Sequence, residues 1–188
     1  MVGIGKTKLA HDVRQLFSGV TARRFARQQD GAAAIEFGLV AVPFLALIFA
    51  ILETAMVFFA GQSLEAAVAV SARLIMTGQA QNAGWTQAAF KTQVCNNIVA
   101  LFDCANKLYV NVQTYTDFNS STATPPYNNG QLDTTKMQYT PGTQGSVVVV
   151  SLYYQWPIYV SLLSNNLSNQ SGNNRLLVAT AAFRNEPY

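Results

Sequence analysis

Gly31 and Glu36 stand five residues apart, where a basic, polar stretch gives way to a long apolar run, and Glu53 lies well inside that run. A charged carboxyl at the centre of a membrane helix costs about 2.5–3.5 kcal/mol to insert, less near the interface, so such a residue calls for a partner. A cut after Gly31 would create one for Glu36. The new α-amine on Ala32 would titrate at about 7.7–8.0 and carry a positive charge at neutral pH. Glu36 is four residues further on, one helical turn away. It could meet that amine on its own chain, or on a neighbouring chain shifted along the helix axis. The chemistry in view is charge pairing after proteolysis, not catalysis.

No other constellation points to an enzyme. His11 is the single histidine and lies in the basic stretch, so no Ser/His/acid or Cys/His set forms with residues further on. Two cysteines and one histidine are too few ligands for a metal centre, and no cofactor is expected. "GIGKT" at Gly3–Thr7 resembles the end of a phosphate-binding loop but lacks the earlier glycine and the preceding strand that the motif needs. Asp117, Asn119 and Ser121 could offer oxygen ligands, but too little chain remains to build the parallel sheet and crossover helices of such a metal site, and a polar turn is the better account. Asn119, Asn166 and Asn169 each begin an N-x-S triplet and imply exposed loops only.

The elements that must position Glu36 and Glu53 follow from charge and periodicity. The chain has 188 residues, half of them hydrophobic and 11% charged. Six basic and two acidic residues precede Gly31, a surplus of +4, whereas six basic and seven acidic residues follow it, a balance of −1. The later part therefore has no basic surface for nucleic acid. Phe37–Ala60 carries one charge, Glu53, and at about 1.5 Å per residue it can span a hydrocarbon core of about 30 Å. The positive-inside rule leaves the N-terminus in the cytoplasm and everything after Gly61 outside. Cys95 and Cys104 then face an oxidising space, where a disulfide is the natural reading and two buried thiols the alternative.

The helix need not stop at the lipid boundary. Leu64, Ala67, Val68, Ser71, Leu74 and Ile75 form one helical stripe, and Gly78 is a stop signal. A second helix is expected over "WTQAAFKTQVCNNIVALFDC", with Trp85, Ala88, Ala89, Ile98, Leu101 and Phe102 as its apolar positions. The period then changes to two in "KLYVNVQTY", "SVVVVSLYYQWP" is a strongly β-prone run ending at Pro157, and "RLLVATAAFRN" reads as a last strand. The expected class is α+β, with a long N-terminal transmembrane and amphipathic helix, a second helix and a small antiparallel sheet of about three strands. The expected organisation is a cytoplasmic basic leader over 1–31, a transmembrane helix over 32–61, and an extracytoplasmic domain over 62–188. Within that domain, 116–145 is rich in Ser, Thr, Asn, Pro and Gly and reads as a long exposed loop.

Within the apolar run, Ala34, Gly38, Val42, Ala46, Ala50 and Thr54 recur every fourth residue as a ridge of mostly small side chains. Such ridges let membrane helices approach closely, although alanine is also common in these helices for no such reason. Glu53 lies about 10 Å short of the outer end of the run by helix rise. It could snorkel outward, bond within its own helix, or bond to a partner helix.

"RRFARQQDGAAAIEFGLVAVPFLALIFAILE", "AAVAVSARLIMTGQA", "YYQWP" and the ending "FRNEPY" resemble the TadE-like family, minor pilins or pseudopilins of the bacterial tight-adherence (Tad, Flp) pilus machinery. The resemblance is strong from Arg23 to Ala80 and looser beyond. It implies a single-pass inner-membrane subunit with a periplasmic C-terminal domain, required for assembly of an adhesion pilus and without catalytic activity. Its implied partners are the membrane, other pilin-like subunits, the Tad secretion machinery and a prepilin peptidase. By position, Gly31 and Ala32 would flank the cleavage site and Glu36 would be the carboxylate needed for peptidase recognition and subunit docking. Gly38, Ala46, Ala50 and Glu53 are the candidates for helix packing. The rival reading is an uncleaved, signal-anchored binding protein that uses 116–145 and the aromatics Tyr153, Tyr154, Trp156 and Tyr159. A secreted domain released by a cut near Ala50 or Ala55 would lose much of a helix whose stripe continues past Gly61.

Overall fold

Asp30–Met76 forms a single 47-residue helix, α1, long and apolar enough to cross a membrane. The computed structural model describes residues 30–98, 102–159 and 167–188. The leader as far as residue 29, Leu101 and Asn166 lie outside the described residues. Two compact units emerge, one ending at Ile48 and the other spanning Phe49–Tyr188. In the first unit α1 is exposed, with Ile35, Phe37, Leu39 and Phe44 uncovered. Pro43 sits inside the helix and withholds one backbone donor from the ladder.

In the second unit α1 becomes amphipathic. Val57, Ala60, Leu64, Ala67, Val68, Ser71, Ala72 and Ile75 are buried, recurring at the three- and four-residue spacing of one helix face. The helix ends where Gly78 adopts a left-handed backbone, φ 77°, and donates its N–H to the Ile75 carbonyl. A β-carbon on Gly78 would also collide with the ring of Tyr188. The chain's last residues thus close over the end of α1, and Glu186 N–H donates to the Met76 carbonyl at 2.9 Å.

Three short helices follow: α2 (Gln79–Asn82), α3 (Gln87–Asn96) and α4 (Cys104–Lys107). The second helix is therefore shorter than periodicity predicts. Thr86 caps α3 through its hydroxyl on the Ala89 N–H, so Trp85 precedes the helix. The Asn96–Asn97 pair, poor in helix propensity, ends it before Ile98. The buried residues are Phe90 and Val94, one turn apart, whereas Ala88 is exposed.

The sheet contains β1 (Leu108–Tyr115), β4 (Val147–Pro157) and β5 (Asn174–Arg184), all antiparallel in the order β1-β4-β5. Val150 is paired with Val112 on one side and Ala181 on the other. Side chains alternate between faces, and β4 is buried on both. Val148, Val150, Leu152, Tyr154 and Trp156 share a core with α1 and α3. On the opposite face Val149, Ser151 and Tyr153 are also buried.

That face takes part of its cover from 116–145, which is mostly exposed, as a loop there is expected to be, but is not without structure. Within 116–145 the chain forms a hairpin, β2 (Tyr127–Asn128) with β3 (Gln131–Leu132), and a 3₁₀ turn over Thr134–Lys136. Leu132 is buried against Tyr153 and Leu176, with Met137 and Tyr109 beside them. Val112 donates its N–H to Gln138 O and accepts from Thr140 N–H, both at 2.8 Å, so this segment also runs along β1. An apolar sheet face needs a cover, and the only composition clue was a few apolar residues scattered among polar ones.

Candidate functional site

Gly31 and Ala32 lie in the first turns of α1 and are exposed. No local geometry demands a glycine at 31: a β-carbon there meets nothing within 4 Å, and its backbone is not left-handed. Glu36 is exposed one turn further on, and among the described residues it has no ion-pair or hydrogen-bond partner. Gly38, Ala46 and Ala50 are not buried, so the small-residue ridge is left uncovered within the chain.

Glu53 has a partner that none of the three sequence readings names. Its Oε1 accepts the backbone N–H of Tyr159 at 3.1 Å, two residues past the end of β4 and 106 residues away. By helical spacing Glu53 is the first member of the docking stripe, with Val57, Ala60 and Leu64 following at four, seven and eleven residues. The carboxylate thus reaches the chain's own domain. Extending the stripe from Leu64 backward by three turns would have found it. Thr54, its neighbour, bonds back to the Ala50 carbonyl at 2.8 Å and satisfies its hydroxyl within the helix.

Cys95 and Cys104 form a disulfide with Cα atoms 5.8 Å apart, joining the last turn of α3 to α4. The link sits beside a packed aromatic group. Phe102 stacks edge-on against Tyr154 and Trp156, with ring centroids at 4.6 and 5.8 Å. Tyr154 also accepts the Asp103 N–H on its hydroxyl oxygen at 2.9 Å, and burial pushes its pKa up. Tyr153, Tyr154 and Trp156 are therefore core residues, and Tyr159 alone of the four aromatics is exposed. Nearby, Lys91 donates to the Ala105 carbonyl at 2.7 Å and lies 6.0 Å from the centre of the Tyr109 ring. Burial lowers its pKa, partly opposed by Asp103. Lys91, Gln87 and Met137 line a cavity of about 270 Å³.

Asp117 behaves as a turn residue: its Oδ1 accepts the Ser120 N–H at 2.8 Å, and this bond holds its carboxyl below the usual range. No cluster of three or more metal-ligating side chains occurs among the described residues. The arrangement offers an exposed apolar helix with a carboxylate at its start and a second carboxylate holding a folded domain to it. In comparisons with known proteins, the family model described as TadE-like protein matches residues 31–73, which is nearly the whole of α1. No curated protein and no solved structure matches the chain.

Proposed function

We propose that this chain, TadE-like over residues 31–73, is a pilin-like structural subunit required for assembly of a Tad-type adhesion pilus, and that a prepilin peptidase cuts it after Gly31. The observation that carries the reading is the coincidence of the family match with α1. The match begins at Gly31, where a glycine without local conformational need adjoins an exposed helix whose Glu36 lacks a described partner. Cleavage frees an amine on Ala32 one turn from Glu36. That amine removes the desolvation problem of the carboxylate, either within one chain or between staggered neighbours, and so fixes the register of helices that assemble side by side.

The same cut removes the basic residues that hold the N-terminus on the cytoplasmic side. Gly38, Ala46 and Ala50 then serve as close-approach positions for other pilin-like helices. The domain after Gly61 stands on the periplasmic side, where the Cys95–Cys104 bond is kept oxidised. The rival binding-protein reading loses three of its four aromatics to the core and keeps Tyr159 and the exposed part of 116–145.

The test is the intact mass and N-terminal residue of the protein extracted from its native membrane. The expected chain begins at Ala32 and keeps its leader when the prepilin peptidase is deleted. A mature chain that still begins in the leader refutes the processing step.

A further inference from the structure

A cavity of about 250 Å³ lies between α1 and β5. Thr54, Phe58, Gly61 and Glu65 line it from one stripe of α1, spaced four, three and four residues apart, over roughly 16 Å of helix at 1.5 Å per residue. Its character changes along that length. At the end nearer Phe49 the helix is apolar and uncovered, with Phe58 70% and Phe59 49% exposed. At the other end it presents Gln62 and Glu65. From β5, Arg175 and Leu177 complete the wall. Arg175 donates one N–H to the Leu167 carbonyl at 2.9 Å, and among the described residues no carboxylate lies within ion-pair distance of it. The space beside Gly61 is open, since a β-carbon there meets nothing within 4 Å.

We propose that this cavity holds the headgroup of a zwitterionic phospholipid bearing a primary amine, from the leaflet of the membrane that faces the folded domain. The proposal rests on the reading of α1 as a membrane span. The lipid phosphate pairs with Arg175, whose planar fork of donors suits phosphate oxygens. The ammonium donates to Glu65. The first acyl carbons cover Phe58, the exposed apolar side chain of the wall. A soluble phosphate compound would leave the apolar end uncovered. A choline headgroup has no N–H for Glu65, and an anionic headgroup without an amine meets the Glu65 carboxylate unfavourably.

The experiment uses the full chain in detergent, stripped of lipid and then supplied with phosphatidylethanolamine, phosphatidylglycerol or phosphatidylcholine of identical acyl chains, with bound lipid read by native mass spectrometry. One phosphatidylethanolamine per chain is expected, in preference to the other two. Arg175→Gln lowers its retention about tenfold, the loss of one charge-assisted pair. Glu65→Gln abolishes the preference for phosphatidylethanolamine over phosphatidylcholine. Gly61→Leu fills the space and excludes all three without touching either charge. Equal retention of the three lipids by the unaltered chain overturns the proposal, as does retention indifferent to both Arg175→Gln and Gly61→Leu. Alkaline extraction of native membranes separates the two readings. A chain released by alkali refutes the membrane span, and a chain that stays embedded but keeps no phosphatidylethanolamine refutes the cavity alone.

Discussion

Replacing Glu53 with alanine pits two effects against each other. The carboxylate lies in an apolar helix, so its removal eases insertion by up to about 2.5–3.5 kcal/mol at the bilayer centre, and by less near an interface. The same carboxylate accepts the Tyr159 N–H at 3.1 Å and holds the chain just past β4 against α1. A hydrogen bond to a charged group contributes about 1.5–3 kcal/mol. Tyr159 is 80% exposed, water competes for its amide, and the lower end of that range applies. The local loss is then about 1.5 kcal/mol, a factor of roughly ten in the opening equilibrium. The assay is amide hydrogen exchange at single-residue resolution on the full chain in lipid nanodiscs. The Tyr159 amide of Glu53→Ala should exchange about tenfold faster, while amides in the centre of β4 keep their rates. Glu53→Gln keeps a neutral acceptor and should lie in between, two- to fivefold faster by roughly the difference between charged and neutral bonds. Insertion of both variants should be at least as efficient as that of the parent. An unchanged Tyr159 rate in Glu53→Ala, or poorer insertion with unchanged exchange, refutes the assignment of Glu53 as the tie between helix and domain.

Three further outcomes are expected. Glu36→Ala should insert normally yet fail to support piliation in a complementation assay, and normal pili from that variant would remove the role assigned to Glu36. Cys95→Ser with Cys104→Ser should lower the unfolding free energy by about 2.6 kcal/mol, the loop-closure value for a nine-residue separation, read as a shifted urea midpoint with and without reductant. The Tyr139 phenol is pushed up to about 12 by burial, and its hydroxyl has no described hydrogen-bond partner. Above about pH 10 the unfolded chain releases this proton before the folded one does. Stability should therefore fall as pH rises from 10 to 12, and Tyr139→Phe should flatten that limb while leaving stability at pH 7 unchanged or slightly higher.

How much of this was legible beforehand depends on the range of the interaction. The amphipathic stripe from Leu64 to Ile75 and the stop at Gly78 are local matters of helical spacing and backbone freedom, and they stand in the fold where periodicity puts them, except that Ala72 is buried and Leu74 is only half-buried. The three long strands are likewise local: alternation at period 2 marks the first, and runs rich in β-branched, aromatic and other apolar residues mark the other two. The second helix was overextended for a related reason. Apolar residues continue past Asn97 in the sequence, but Phe102 serves the aromatic group around Tyr154 rather than a helix face.

By itself, then, the sequence determined a helix long and apolar enough to cross a membrane with its two carboxylates, the family resemblance at Gly31–Glu36, and the succession of one long helix and three antiparallel strands. All of these are written in neighbouring residues. Tertiary structure alone decided where Glu53 sends its charge, that Leu132 and Met137 cover the far side of β4, and that Glu186 and Tyr188 close the end of α1. Each of these joins segments tens to more than a hundred residues apart. Their partners are chosen by which polar groups and apolar faces remain unsatisfied once the helix and sheet have packed, and no local pattern carries that information.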